Sequence, residues 1–307
     1  MSAPSPRTGF TYALGAYLLW GAFPIYFKAL KPVPALEILS HRILWSAVFL
    51  AGLVTLARRW PEYWFAFRSR RRLATYALST ALVTTNWLLY IWAVNAGRVL
   101  EASLGYFVNP LVNVLLGVVF LRETLRPRQA AAVALATLGV LVLVARVGAF
   151  PWVALALAFS FGAYGLVRKK ADIDPVVGLL VETSLMAPLA ALLIGARALD
   201  GSGGLGRDLR VTALLLVAGV VTAVPLIWFA KGVRSLKLST MGLIQYVAPT
   251  LQFLCAVVLF HEAFTRAHAL AFGCIWVSLA VFSADALMHQ RAAASSKTPS
   301  LRPANEA

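Results

Sequence analysis

Residues 37–56 read EILSHRILWSAVFLAGLVTL, an apolar run that carries Glu37, His41 and Arg42 at its start. A run of about 20 apolar residues is long enough to cross a ~30 Å hydrocarbon layer as a helix. A charged group in hydrocarbon costs about 3 kcal/mol on insertion scales, so such groups normally face a protein interior or an aqueous cavity. The stretch therefore predicts a membrane helix with a polar site inside the bundle.

The composition extends this reading to the whole chain. Of its 307 residues, 60% are hydrophobic and 13% are charged, about half the charged share of a typical soluble domain. The strands of a membrane barrel would alternate in polarity, and the apolar segments here do not. The sequence predicts an all-α integral membrane protein with ten transmembrane helices, at residues 10–30, 36–57, 73–95, 100–121, 129–145, 150–167, 176–195, 211–230, 239–260 and 268–288. A nine-helix count stays open, because the fifth and sixth segments are short and adjacent.

The net charge of +16 is distributed as in a membrane protein. Most Lys and Arg residues fall in alternate connecting segments, such as RRWPEYWFAFRSRRR at 58–72. This positive-inside asymmetry places both termini in the cytoplasm, with a short N-terminal tail at 1–8 and a polar, disordered tail at 289–307. Anionic lipid headgroups are the expected partners of the basic segments, and nucleic acid is not.

The chain also repeats itself. A shift of 139 residues lays LGYFVNP at 104–110 on LIQYVAP at 243–249, and a shift of 141 lays the first apolar segment on the sixth. The matched positions include Gly21 with Gly162 and Glu123 with Glu262. Each half, 9–146 and 147–288, has five spans, so equivalent spans run in opposite directions across the membrane. Inverted repeats of this kind are typical of carriers that alternate between two open states.

Polar residues within the spans are the candidates for a substrate or proton pathway. Glu37 and His41 share a helix face, Arg42 follows, and the repeat places Glu182 at the position equivalent to His41. The other candidates are Trp20, Asn86, Tyr90, Tyr106, Asn109, Gln245 and Tyr246, with Pro110 and Pro249 as points where the helices bend. In the alternative reading, Arg42 extends to the headgroups, Glu37 is interfacial and the amides only hold helices together.

No catalytic or nucleotide-binding motif occurs in the chain. The patterns GxSxG, HExxH and GxxxxGK[ST] are absent, and no carboxylates cluster at metal-ligand spacing. Catalytic residues, metals and cofactors are therefore not expected, and ATP hydrolysis by this chain alone is excluded. Cys255 and Cys274 both fall inside predicted spans, which does not favour a disulfide.

Several segments resemble a known family. ALGAYLLWGAFPIYFK at 13–28, EILSHR at 37–42, NWLLYIWAVN at 86–95 and LGYFVNP at 104–110 are similar to the RarD-type permeases of the EamA group, in the drug/metabolite transporter superfamily. The resemblance implies ten helices in two inverted five-helix repeats, residence in a bacterial inner membrane and transport driven by an ion gradient. It also implies a link to chloramphenicol sensitivity or resistance.

Together, these features favour a secondary carrier that moves a small organic solute by alternating access, acting as a permease or exporter, with protons as a candidate coupling ion. Two alternatives remain within transport: a passive channel or facilitator, and an exporter of amino acids or other metabolites. A membrane-embedded enzyme is disfavoured, because no nucleophile–base pair is found.

Overall fold

The computed structural model describes residues 6–122, 126–147, 150–169, 174–236 and 244–295. Every regular element in these ranges is helical. The elements are α1 (Pro6–Ala29), α2 (Ala35–Leu56), α3 (Trp60–Phe65) with a 3₁₀ turn (Ala66–Arg68), α4 (Arg70–Asn95), α5 (Val99–Leu121), α6 (Pro127–Val147), α7 (Trp152–Lys169), α8 (Pro175–Leu199), α9 (Leu209–Ser235), α10 (Val247–Leu254) with a π-helix (Cys255–Leu259), and α11 (Arg266–Ser295).

Eight of these helices are long and apolar enough to cross a membrane, namely α1, α2, α4, α5, α6, α8, α9 and α11. Two further apolar helices are shorter, Trp152–Arg168 and Val247–Leu259. The protein is therefore an all-α, multi-pass membrane protein. The predicted span at 239–260 is described only from Ile244, and the turn at Gln245 and Tyr246 precedes α10.

The predicted tails fall largely outside the described residues, as residues 1–5 and 296–307 do. Helix α11 continues to Ser295, into the segment predicted as a disordered tail. The alanines at 292–294 have the highest helix propensity, which explains the extension.

Helix ends in the two halves resemble each other. Arg122 after α5 and His261 after the π-helix both have left-handed backbones, with φ of 55° and 54°, and they are related by the 139-residue shift. The next residue, Glu262, accepts hydrogen bonds from the amides of Val99 and Leu100 at 2.8 and 2.7 Å. It thereby caps α5. Burial raises the pKa of Glu262, although these two amides act in the opposite direction. Its predicted counterpart, Glu123, lies outside the described residues.

The most extensive helix contacts form a regular set. Helix α2 packs on α8, α6 on α11 and α5 on α10. Helix α1 packs on α9 and on α10, while α7 packs on α4 and on α5. The remaining large contacts are α2 with α9, α8 with α4 and α2 with α4. Exchanging the five apolar helices of the first half, in order, for those of the second half maps these pairs onto one another, except that α2 with α4 maps onto the smaller contact of α8 with α9.

Glycines allow the closest approaches. A Cβ atom built on Gly21 in α1 would lie 2.6 Å from the Leu251 side chain in α10. One built on Gly162 in α7 would lie 3.2 Å from Val112 in α5. The repeat shifts relate these two contacts to each other, position by position. The same steric requirement therefore recurs at equivalent places in both halves.

Candidate substrate pathway

Arg42 lies in an aromatic enclosure near the centre of the bundle. The residue is 4% exposed, and its guanidinium carbon lies 4.2 Å from the ring centroid of Trp87, 5.5 Å from Phe23 and 5.6 Å from Phe27. The phenol groups of Tyr26, Tyr90 and Tyr106 lie close enough to interact electrostatically with the guanidinium charge of Arg42. We call Arg42, Phe23, Phe27, Trp87, Tyr90 and Tyr106 the Arg42 cluster.

The direction of the Arg42 side chain argues against a headgroup contact. Helices α2 and α9 run side by side from the same end, because Glu37 contacts Gly204 just before α9 and the Trp45–Ser46 backbone adjoins Gly219. Arg42 Nε donates to Thr222 Oγ1 at 2.7 Å, one turn beyond Gly219. The guanidinium thus points along α9 toward its C-terminal half, away from the N-terminal end of α2.

His41 is fully buried beside the Arg42 cluster. Its Nδ1 atom accepts a hydrogen bond from Trp45 Nε1 at 3.2 Å, which sets the proton on Nε2. Nε2 is buried and has no hydrogen-bond partner among the described residues. A buried polar atom without a partner costs about 1–3 kcal/mol.

Glu37 lies one turn from His41 on α2, but its carboxylate contacts the connection between α8 and α9. It accepts a hydrogen bond from the Gly204 amide at 2.6 Å and lies 3.7 Å from Arg197 at the end of α8. These contacts tie three elements together. The geometry thus gives Glu37 a role in positioning the connecting segment.

A second buried polar group, which we call the Glu182 cluster, consists of Glu182, Ser79, Tyr164 and Arg168. Its carboxylate accepts hydrogen bonds from Ser79 Oγ at 2.8 Å and Tyr164 Oη at 3.2 Å. Arg168 Nη1 lies 3.5 Å from the carboxylate. Glu182 is 2% exposed. These three partners allow the carboxylate to stay ionised inside the bundle. Binding of a proton would release the carboxylate from its contacts with them.

The two clusters occupy related positions. The 141-residue shift takes His41 to Glu182, Phe23 to Tyr164 and Phe27 to Arg168. Sequence reasoning missed four of these neighbours, namely Phe23, Phe27, Tyr164 and Arg168. The spacing of four residues within each pair, repeated at the same shift, was the available signal.

Two of the predicted residues, Asn86 and Asn109, make hydrogen bonds between helices. Asn86 in α4 donates to the Leu157 carbonyl and to Ser160 Oγ, both at 3.0 Å, and accepts from Tyr106 Oη at 3.3 Å. Asn109 in α5 donates to the Ala158 carbonyl at 3.0 Å. These bonds hold α4 and α5 against α7. They match the alternative reading of the amides as links between helices.

The contacts of Gln245, Tyr246 and Trp20 join several helices. The hydroxyl of Tyr246 interacts with the side chains of Gln245 and Ser283. Trp20 is packed against Tyr17 and Phe229, with ring centroids 5.2 and 5.6 Å away. Its carbonyl accepts a hydrogen bond from Gln252. These residues thus link α1, α9, α10 and α11, and Trp20 and Tyr246 also pack against the hydrophobic core that contains Phe23 and Phe27.

The two candidate bending points differ. Pro110 lies within the continuous helix α5, where it removes a backbone hydrogen bond. Pro249 is the third residue of α10, in the first turn, where the amide would have no partner within the helix. The interruption of this segment is instead the turn at Gln245 and Tyr246. Among the described residues, no three His, Cys, Asp or Glu side chains are grouped as metal ligands.

The EamA-like transporter family model matches this chain twice, over residues 7–145 and 151–284. Protein RarD of Salmonella typhi is 46% identical over 95% of this chain and 99% of its own length. An uncharacterized transporter of Vibrio cholerae is 47% identical over 94% and 95%. The chloramphenicol-sensitive protein RarD of Pseudomonas aeruginosa is 34% identical over 88% and 92%.

One solved crystal structure is similar in shape. Its TM-score is 0.58, and the match covers 90% of this chain and 97% of that chain. The sequence identity is 21%. At this identity the likeness shows a common fold and carries no information on substrates.

Proposed function

Because the chain belongs to the EamA-like transporter family, as a RarD-type permease of the drug/metabolite transporter superfamily, we propose that it is a secondary carrier of small organic solutes that works by alternating access. The observation that carries this proposal is the helix contact set, most of which maps onto itself when the two halves are exchanged. Repeats related in this way are typical of carriers that alternate between two conformations, one open to each side.

The same observation supports an inverted arrangement of two five-helix repeats. The short helices α7 and α10 then complete ten spans, with both termini in the cytoplasm and the protein in a bacterial inner membrane. Reporter fusions at residue 5 and residue 300 test this arrangement. At both positions, a reporter that works only in the cytoplasm should be active. Termini on opposite sides of the membrane would overturn the inverted arrangement.

Counterflow in proteoliposomes tests alternating access. Vesicles are loaded with unlabelled chloramphenicol, a solute suggested only by the printed name of the Pseudomonas relative, and then diluted into labelled chloramphenicol. A panel of small carboxylates is tested in parallel. A carrier gives a transient internal accumulation of label, because it exchanges solute across a closed bilayer. A passive channel gives only equilibration.

Variants of His41 and Arg42 sharpen this test. His41→Ala and Arg42→Ala should abolish counterflow while the protein still folds and inserts. The matched control is Arg72→Gln, because Arg72 also stacks on an aromatic ring, Phe65, but lies outside both clusters. Wild-type counterflow in both cluster variants would defeat the pathway assignment.

Proton coupling is the second part of the proposal, with Glu182 as the proton-binding group. The proton assignment is supported by the burial of the Glu182 carboxylate, whose charge is stabilised by Ser79, Tyr164 and Arg168. Glu182→Gln should retain counterflow and lose uptake driven by a pH gradient. Glu62→Gln, at an exposed carboxylate in α3, is the control. If Glu182→Gln still responds to the gradient, the proton assignment fails.

A further inference from the structure

The hydrogen-bond inventory of the Arg42 cluster has an excess of donors. A guanidinium has five N–H groups, and only the one at Nε is used, by Thr222. Neither terminal nitrogen of Arg42 donates to any described residue, and no carboxylate lies within ion-pair distance of it there. The hydroxyl of Tyr90, 3% exposed, has no partner among the described residues either.

The nearby oxygens do not remove this excess. Tyr106 Oη already donates to Asn86, and Tyr26 Oη already donates to the Leu214 carbonyl at 2.7 Å. Both phenol oxygens keep lone pairs, yet no hydrogen bond joins either of them to Arg42. What the enclosure lacks is a strong acceptor, and the aromatic faces of Trp87, Phe23 and Phe27 supply only a weak one.

From these contacts we infer that the Arg42 cluster is the subsite for an anionic oxygen of the transported solute, with Arg42 and Tyr90 as donors and Trp87 and Phe27 as walls for a flat apolar group. The inference rests on the carrier function proposed above. It names the substrate class as small monoanions that join a carboxylate to an apolar body. A carboxylate between Arg42 and Tyr90 would satisfy the free donors and neutralise the buried charge.

The surroundings also exclude other charge types. Within the described residues, the carboxylate nearest in sequence to Arg42 is Glu37, which is engaged with Gly204, and the buried carboxylate of the Glu182 cluster is engaged with Ser79. An amine would therefore meet a guanidinium without a carboxylate to pair with. A neutral amide would supply one acceptor but would leave the charge of Arg42 uncompensated.

Ligand-dependent stability of the purified full-length chain tests this inference. The probes are phenylacetate, its neutral isostere phenylacetamide and the cation phenethylamine, each titrated while the melting temperature is recorded. A ligand that binds only the folded state raises that temperature. Phenylacetate should stabilise the wild type, at concentrations at least tenfold lower than phenylacetamide requires, and phenethylamine should have no effect.

Variants identify the donors. Arg42→Gln should remove the preference for phenylacetate over phenylacetamide. Tyr90→Phe should weaken the binding of phenylacetate several-fold, and Arg72→Gln should behave as the wild type. If Arg42→Gln does not fold, the comparison of the three ligands on the wild type and on Tyr90→Phe still tests the anion subsite. Equal stabilisation by all three probes, or by none, overturns the inference, as does a preference that survives in Arg42→Gln.

The two proposals can fail separately. Chloramphenicol counterflow without any carboxylate preference would leave the carrier function intact and remove the anion subsite. Carboxylate binding with the expected variant pattern, but no counterflow of any bound probe, would leave the subsite and remove the carrier function.

Discussion

Gly219→Ala tests the contact that positions Arg42. An added Cβ atom would meet the backbone of Trp45 and would lie 2.6 Å from the Ser46 amide nitrogen, where ordinary contact begins at 3.4 Å. Because backbone atoms cannot rotate away, α2 and α9 must separate by about 1 Å, as overpacked cores do. The hydrogen bond from Ser46 Oγ to the Gly219 carbonyl, already 3.4 Å long, would then be lost.

Gly52→Ala is the matched control. Gly52 also lies within a helix, but a Cβ atom there would contact nothing within 4 Å. Both variants gain the same intrinsic preference for helix, about 1 kcal/mol. The difference between them is therefore the overpacking cost, about 1–3 kcal/mol.

Reversible unfolding in mixed micelles, followed by circular dichroism, measures this difference. Gly219→Ala should unfold at a lower fraction of denaturing detergent than Gly52→Ala. If the two variants unfold together, α2 and α9 do not pack as closely as described, and the placement of Arg42 beside Thr222 loses its support.

Three further changes probe separate contacts. Glu262→Ala removes the acceptor for two amides at the start of α5 and should cost about 1 kcal/mol in the same unfolding assay, whereas Glu262→Gln should cost less, because its side-chain oxygen still accepts. Glu37→Ala should speed hydrogen exchange at the Gly204 amide and Glu37→Gln should not, since glutamine keeps an acceptor there; equal exchange in both would contradict the role given to Glu37. Asn86→Ala breaks three bonds between α4, α5 and α7 and should cost about 1 kcal/mol in the unfolding assay; an unchanged stability would mean that these bonds contribute nothing net.

Helix positions were the most predictable feature, because hydrocarbon imposes them directly. The predicted spans 36–57, 73–95 and 100–121 correspond to helices α2, α4 and α5. Composition alone produces this agreement, since a backbone in hydrocarbon must satisfy its hydrogen bonds within the segment. The short helix α3 was not predicted, because it lies in a basic connection where hydropathy is uninformative.

The partners of the buried charges were much less predictable. Glu37 and His41 share a helix face in the sequence, yet Glu37 contacts Gly204, far along the chain. Arg42 is enclosed by rings from α1 and α4, which no spacing within α2 can indicate. Such contacts depend on how helices pack. Only the repeat carried information about them, by relating Phe23 and Phe27 to Tyr164 and Arg168.

The two clusters lie at related positions but differ in how their charges are compensated. Among the described residues Arg42 has no carboxylate partner, whereas Glu182 has Arg168 at 3.5 Å and two hydroxyl donors. A closed conformation that buries Arg42 is therefore stabilised by a bound anion. The proton proposed at Glu182 would then cross with that anion.

Joint movement of one monoanion and one proton carries no net charge. Phenylacetate uptake driven by a pH gradient should then be unaffected when a potassium gradient with valinomycin sets the membrane potential. Exchange of the anion against a proton would instead move two charges in the same electrical sense, and each charge contributes about 2.3 kcal/mol per 100 mV. A strong dependence of uptake on potential would contradict joint movement. Faster uptake at an inside-positive potential would show that the two ions cross in opposite directions.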